Sequence, residues 1–153
     1  MAVTAKAAML IRKPVREVFE AFVDPAITTK FWFTKSSGRL EPGARVRWEW
    51  EMYGASTEVA VRAFEQDRRL LIEWSGYAAP NTVEWDFTAL TADTTFVSIT
   101  NAGFSGDAEA VAGQAVDSTG GFTMVLAGLK ALLEHDILLN LVADRFPPGL
   151  EAQ

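Results

Sequence analysis

Few side chains in this sequence have the types and spacing that covalent chemistry needs. There is one histidine, His135, and no cysteine. Nucleophilic catalysis couples a Ser or Cys to a base that a third group holds in place. His135 instead lies between Glu134 and Asp136, late in a helical stretch, where a helix C-terminus favours a cation. Without Cys, thiolate catalysis, disulfides and zinc–thiolate sites are excluded. Asp107, Glu109 and Asp117 share one segment, but a hard-cation site needs a turn-rich loop of closely spaced oxygen ligands. Their spacing matches no such loop, so they read as solvated surface charges. No Gly-x-Ser-x-Gly, phosphate-binding loop or dinucleotide fingerprint occurs. The sequence therefore nominates no catalytic residue, no metal ligand and no cofactor.

The aromatic residues carry more information. Trp48, Trp50, Met52, Trp74, Trp85 and Phe87 fall at inward positions of alternating segments, while Trp32, Phe104 and Phe122 stand at helix openings and Leu126 follows one turn later. One reading makes them core, since a sheet gripped by a helix needs large apolar side chains. The other makes them the wall of a hollow, because aromatic lining with a few polar groups is the usual form of a small-molecule site. Tyr53, Glu58, Arg62, Glu73, Tyr77 and Asn101 are the polar candidates. Of these, Glu58, Arg62 and Glu73 lie on the strand face opposite the inner set unless a bulge reverses it.

The elements that would position these residues follow from periodicity. Residues 3–12 read as a first strand. After Pro14, the residues Val15, Val18, Phe19, Phe22 and Val23 recur at helical spacing on one face. Asp24-Pro25 stops that helix and caps a second, short one over 26–33, which brings Ile27 and Phe31 inward. Then the period changes to two. Val46, Trp48, Trp50 and Met52 alternate with Arg45, Arg47, Glu49 and Glu51. Further strands place Val59, Val61 and Ala63, then Leu70, Ile72 and Trp74, then Val83, Trp85 and Phe87, then Val97 and Ile99 inward. Short turns between successive strands require an antiparallel meander. A Gly- and Ala-rich connector over 103–117 holds a short helix after Asp107. Asp117 or Ser118 caps the last helix, which runs to about residue 140 with Phe122, Val125, Leu126, Leu129, Leu132, Leu133 and Ile137 inward. The prediction is one α+β domain over 1–144, with six antiparallel strands curved around a long C-terminal helix, and a flexible tail over 145–153.

Composition bounds the function. A chain of 153 residues suits one domain, and ten Phe and five Trp argue against disorder. The net charge of −6, with scattered Lys and Arg, lacks the basic stripe of a nucleic-acid binder. No apolar run approaches the ~20 residues that span a bilayer, and the N-terminus lacks the order of a signal peptide. The expectation is a cytoplasmic protein with neither nucleic-acid nor membrane partner, and a homodimer is the commonest assembly for such a chain.

The order of strand, two small helices, meander and long helix resembles the helix-grip fold of START-like, SRPBCC and birch-pollen-allergen-like proteins. Pro14-Val15-Arg16-Glu17-Val18-Phe19-Glu20-Ala21-Phe22 with Asp24-Pro25 is similar to the opening of the family named for activators of heat-shock protein 90 ATPase. So are Phe31-Trp32, the Glu41-Pro42-Gly43 turn, Leu70-Leu71-Ile72-Glu73-Trp74, Thr100-Asn101-Ala102-Gly103-Phe104 and the helix from Gly121-Phe122 through Leu133. The resemblance spans residues 3–140. Gly43-Ala44 replaces that family's double Gly, and Gly121-Phe122 its Gly-Trp. It implies a hollow between sheet and helix that takes a small apolar or aromatic molecule. It also implies two alternatives, a chaperone-assisting interaction protein and a cofactor-free polyketide cyclase or aromatase.

Overall fold

In a computed structural model the structure describes residues 2–77 and 79–150; the end of the expected tail, 151–153, and one residue of the loop after Trp74 lie outside them. The strands are β1 (Ala5–Ile11), β2 (Lys35–Ser36), β3 (Arg45–Trp50), β4 (Ala55–Glu65), β5 (Arg69–Trp74), β6 (Asn81–Thr91) and β7 (Thr94–Ala102). The helices are α1 (Val15–Val23), α2 (Pro25–Thr28), α3 (Ala108–His135) and α4 (Leu141–Asp144). All strands form one antiparallel curved sheet in the order β1-β7-β6-β5-β4-β3-β2. The expected α+β helix-grip architecture is the observed one.

Several boundaries differ from expectation for local reasons. A seventh strand exists because Lys35 and Ser36 pair with Glu49 and Trp48 along the free edge of β3. Helix α2 ends early, the backbone passing into i+3 turns in which the Lys30 N–H donates to the Ile27 carbonyl at 3.0 Å and the Phe31 N–H to the Thr28 carbonyl at 3.1 Å. The strand of alternating tryptophans stops at Trp50, and Glu51–Tyr53 form a single 3-10 turn closed by Gly54 at φ 60°. Met52 therefore leaves the inner face and is 39% exposed. In β4 the pairing slips at Arg62, so Val61 faces Ile72 but Phe64, rather than Ala63, faces buried Leu70. Such a bulge inserts one residue and exchanges the faces beyond it.

The connector is the largest difference. The expected short helix after Asp107 runs without a break into the last helix, so α3 has 28 residues. Its cap is Asp107, whose carboxylate accepts the Ala110 N–H at 2.8 Å, and neither Asp117 nor Ser118 caps it. Alanines across the first turns favour continuation, and isolated glycines lower helix stability without forbidding it. The helix ends at Asp136 in the left-handed conformation, φ 53°. Ile137 consequently lies past the helix and is exposed instead of facing the core.

The core lies between the sheet and the helices. Phe19 of α1 meets Phe64 and Phe87 edge-on at 5.3 and 5.1 Å, the contact geometry that ring quadrupoles favour. Phe33 stacks on Trp48 at 4.5 Å. The second half of α3 seats Val125, Leu126, Leu129 and Leu132 in the same cluster. It is tied to the sheet by the Lys130 ammonium, which donates to the Leu10 carbonyl at 2.9 Å.

Candidate ligand-binding site

The first half of α3 lines an open cavity of about 900 Å³. Strand alternation supplies its floor. Trp50 ends β3 and Trp74 ends β5, both on the inner face, and Trp32 follows α2. The three indoles lie 6.0–6.2 Å apart, centre to centre. Phe122 of α3 closes the set at 5.6 Å from Trp32 and 6.1 Å from Trp74. The opposite wall is short: Gly113, Gly120 and Gly121 of α3 line the cavity, and a Cβ added at any of them would meet nothing within 4 Å. Gly76 is small for another reason. A Cβ there would sit 3.1 Å from the Trp74 ring, so its absence lets the loop after β5 fold onto that indole.

One end of the cavity is polar and tightly connected. The Trp74 indole N–H donates to Asn81 Oδ1 at 2.8 Å, and Asn101 Nδ2 donates to the same oxygen at 2.6 Å and to the Thr82 carbonyl at 2.7 Å. The Ser118 hydroxyl of α3 donates to Asn101 Oδ1 at 2.8 Å. Beside it, the Tyr77 hydroxyl donates to Asp117 Oδ2 at 2.6 Å, and the Tyr77 ring meets Phe104 edge-on. Burial, and then the neighbouring Asp117 carboxylate, push the Tyr77 phenol above its ordinary value and keep its proton in that bond. At the other end the Tyr53 hydroxyl donates to the Val142 carbonyl of α4, and the Arg145 guanidinium lies 4.3 Å over the Phe146 ring.

Among the expected wall residues, the structure brings Trp32, Trp50, Trp74 and Phe122 together around the cavity. Trp48, Trp85, Phe87 and Leu126 are core instead: neighbours cover Trp48, Trp85 and Leu126 almost completely, and Phe87, buried against Phe19 and Phe22, lies outside the lining. Phe104 packs on Tyr77 outside the lining, and Met52 borders a smaller cleft below α4. Tyr53 and Tyr77 line the cavity. Glu58, Arg62 and Glu73 sit on the outer face, where Arg62 pairs with Glu73 at 2.7 Å and Arg47 with Glu58 at 3.4 Å.

A family profile described as Activator of Hsp90 ATPase homolog 1-like protein matches residues 12–134. The chain belongs to that family. Among solved structures, this family member is similar to the protein SSP2350 from Staphylococcus saprophyticus, at 27% identity and a TM-score of 0.76 over 90% of this chain and 96% of that one. It is similar to the Aha1 dimer from Colwellia psychrerythraea, at 15% identity and a TM-score of 0.71 over 87% and 97%. A START superfamily protein from Mycobacterium smegmatis shares the fold at 12% identity and a TM-score of 0.65 over 85% and 98%. No curated protein matches the chain. No helix among the described residues is long and apolar enough to cross a membrane.

Sequence reasoning did not nominate Glu109, Asp117, Ser118, Arg145 or Phe146 for the cavity lining, nor Asn81, buried behind Trp74. Asn81 and Ser118 carried a usable signal. Asn81 has the parity of Val83 and Trp85, and Ser118 lies one turn before Phe122 on the inner helical face. A polar residue at an inward position must find a partner. Arg145 and Phe146 carried none, since a short turn folds them back onto Tyr53.

Proposed function

We propose that this protein binds a small hydrophobic molecule in the cavity between its sheet and α3. The observation that carries the reading is the meeting of Trp32, Trp50 and Trp74 with Phe122 of α3 around a cavity of about 900 Å³, where the α3 glycines Gly113, Gly120 and Gly121 leave space free. Ligand sites of drug-sized molecules run to roughly 300–1,000 Å³ and combine apolar walls with a few placed polar groups. Native mass spectrometry of freshly purified protein, followed by denaturing extraction, tests it. A persistent added mass of a few hundred daltons supports the reading and names the chemical class. A bare polypeptide mass, together with no change in tryptophan fluorescence on titration with Nile red, would reject it.

The family match favours a second reading, stimulation of a heat-shock protein 90 ATPase. A purified chaperone whose ATPase rate is unchanged by excess of this protein would eliminate it.

A further inference from the structure

We propose that the Asp117 end of the cavity selects ligands carrying a protonated amine, so that the bound molecule is an apolar or aromatic body with one cationic N–H donor. The inference rests on the binding reading above and adds the sign and hydrogen-bonding sense of the ligand's polar group.

The argument starts from where the donors already point. The Tyr77 hydroxyl hydrogen is spent on Asp117 Oδ2, and the Ser118 hydroxyl hydrogen on Asn101 Oδ1. Both hydrogens of the Asn101 amide go to Asn81 and Thr82, and the Trp74 N–H goes to Asn81. What this network leaves for a ligand is lone pairs on the Ser118, Tyr77 and Asp117 oxygens. Among the side chains of this network a carboxylate or phosphate would meet acceptors only and find a donor only in the nearby Ser75 hydroxyl, whereas an ammonium supplies three donors and no acceptor. Charge points the same way. The charged residues lining the cavity are Glu109, Asp117 and Arg145, and the two carboxylates stand two turns apart on one helix. Arg145 lies toward Tyr53 and Phe146, with its guanidinium over the Phe146 ring. The net charge of −6 adds a field that concentrates cations near the surface. The neighbouring Trp74 is itself a surface on which a cation or an aromatic ring packs favourably.

A matched set of probes tests this: 4-phenylbutylamine, 4-phenylbutanol and 4-phenylbutanoate, titrated by calorimetry and tryptophan fluorescence into wild type and Asp117→Asn. The substitution keeps an oxygen for Tyr77 and removes the charge, and circular dichroism melts report whether each variant is folded. The expected result is about a tenfold or greater preference for the amine over the acid in wild type. Asp117→Asn should lower that preference severalfold, and added salt should lower it in wild type. Equal or tighter binding of the acid, or a preference unchanged in folded Asp117→Asn, would overturn the charge inference while leaving the cavity as a binding site. If none of the three probes binds and no mass co-purifies, the binding reading falls, and this inference falls with it.

Discussion

The Trp74 indole N–H and the Asn81 side-chain oxygen lie 2.8 Å apart, and that bond joins the cavity floor to a buried chain of amides. Asn81 Oδ1 also accepts from Asn101, and Asn101 accepts from Ser118 on α3, so sheet and helix are held in register by polar atoms. Where apolar packing alone would allow α3 to slide, these directional bonds set its height over the cavity.

Asn101 is the hub of that chain and is fully buried. Asn101→Ala leaves the Ser118 hydroxyl and the Asn81 oxygen short of partners. Each stranded buried group costs about 1–3 kcal/mol. The expected result is a fall of at least about 2 kcal/mol in urea unfolding with an unchanged slope. A change below about 0.5 kcal/mol would show that the network carries no stability.

Trp48 and Trp50 separate core from cavity wall two residues apart. Trp48 is 1% exposed and stacked on Phe33, so Trp48→Ala should cost about 3–5 kcal/mol. Trp50 is partly exposed along the cavity, and Trp50→Ala should cost less than half as much while weakening Nile red binding. Similar losses of stability in both variants would place Trp50 in the core.

Two glycines of α3 should respond oppositely to alanine. At Gly121 the new Cβ meets nothing, and helix propensity alone should raise stability by about 0.5–1 kcal/mol. At Gly128 the new Cβ lies 3.3 Å from the Phe31 Cβ and 3.6 Å from its carbonyl oxygen. Crowding there offsets the propensity gain, so Gly128→Ala should melt no higher than wild type. Thermal melts of the pair decide it, and a lower melting point for Gly121→Ala would contradict the open wall.

Glu134 makes stability depend on pH. Burial pushes its carboxyl up, but the Arg12 N–H at 2.8 Å and the Lys130 ammonium at 2.7 Å outweigh burial and hold it below the ordinary 4.5. A carboxylate held down in the folded state contributes stability that is complete above its unfolded value and lost as pH falls through the lower folded value. Glu134→Gln should therefore be less stable than wild type by about 1 kcal/mol near neutrality, and the gap should close in acid. A gap independent of pH would assign the loss to packing.

Much of the fold is legible because strand and helix periods differ. Val46, Trp48 and Trp50 alternate, and Phe122, Val125, Leu126 and Leu129 recur at helical spacing, so each element's inner face follows from its own sequence. The exceptions have local geometry behind them. The slip at Arg62 turns Phe64 inward in place of Ala63, and the left-handed Asp136 ends α3 before Ile137. Arg62 announces no bulge, and Asp136 is only a weak signal, since Asp tolerates the left-handed state but does not require it.

By itself, then, the sequence determined most of the inward positions, though not at Met52, Ala63 or Ile137, and also that the strands form an antiparallel meander and that a long helix closes the domain. It could not separate inward residues that are covered from those that line space. Trp48 and Trp50 share a face and a residue type, yet one is sealed by Phe33 and the other borders the cavity. That difference depends on how far α3 stands from the sheet, which is set jointly by Ser118, Asn101 and Asn81 from three distant segments. Periodicity reports the direction of a side chain along one element, whereas a cavity is a distance between elements. Only the tertiary packing contains that distance.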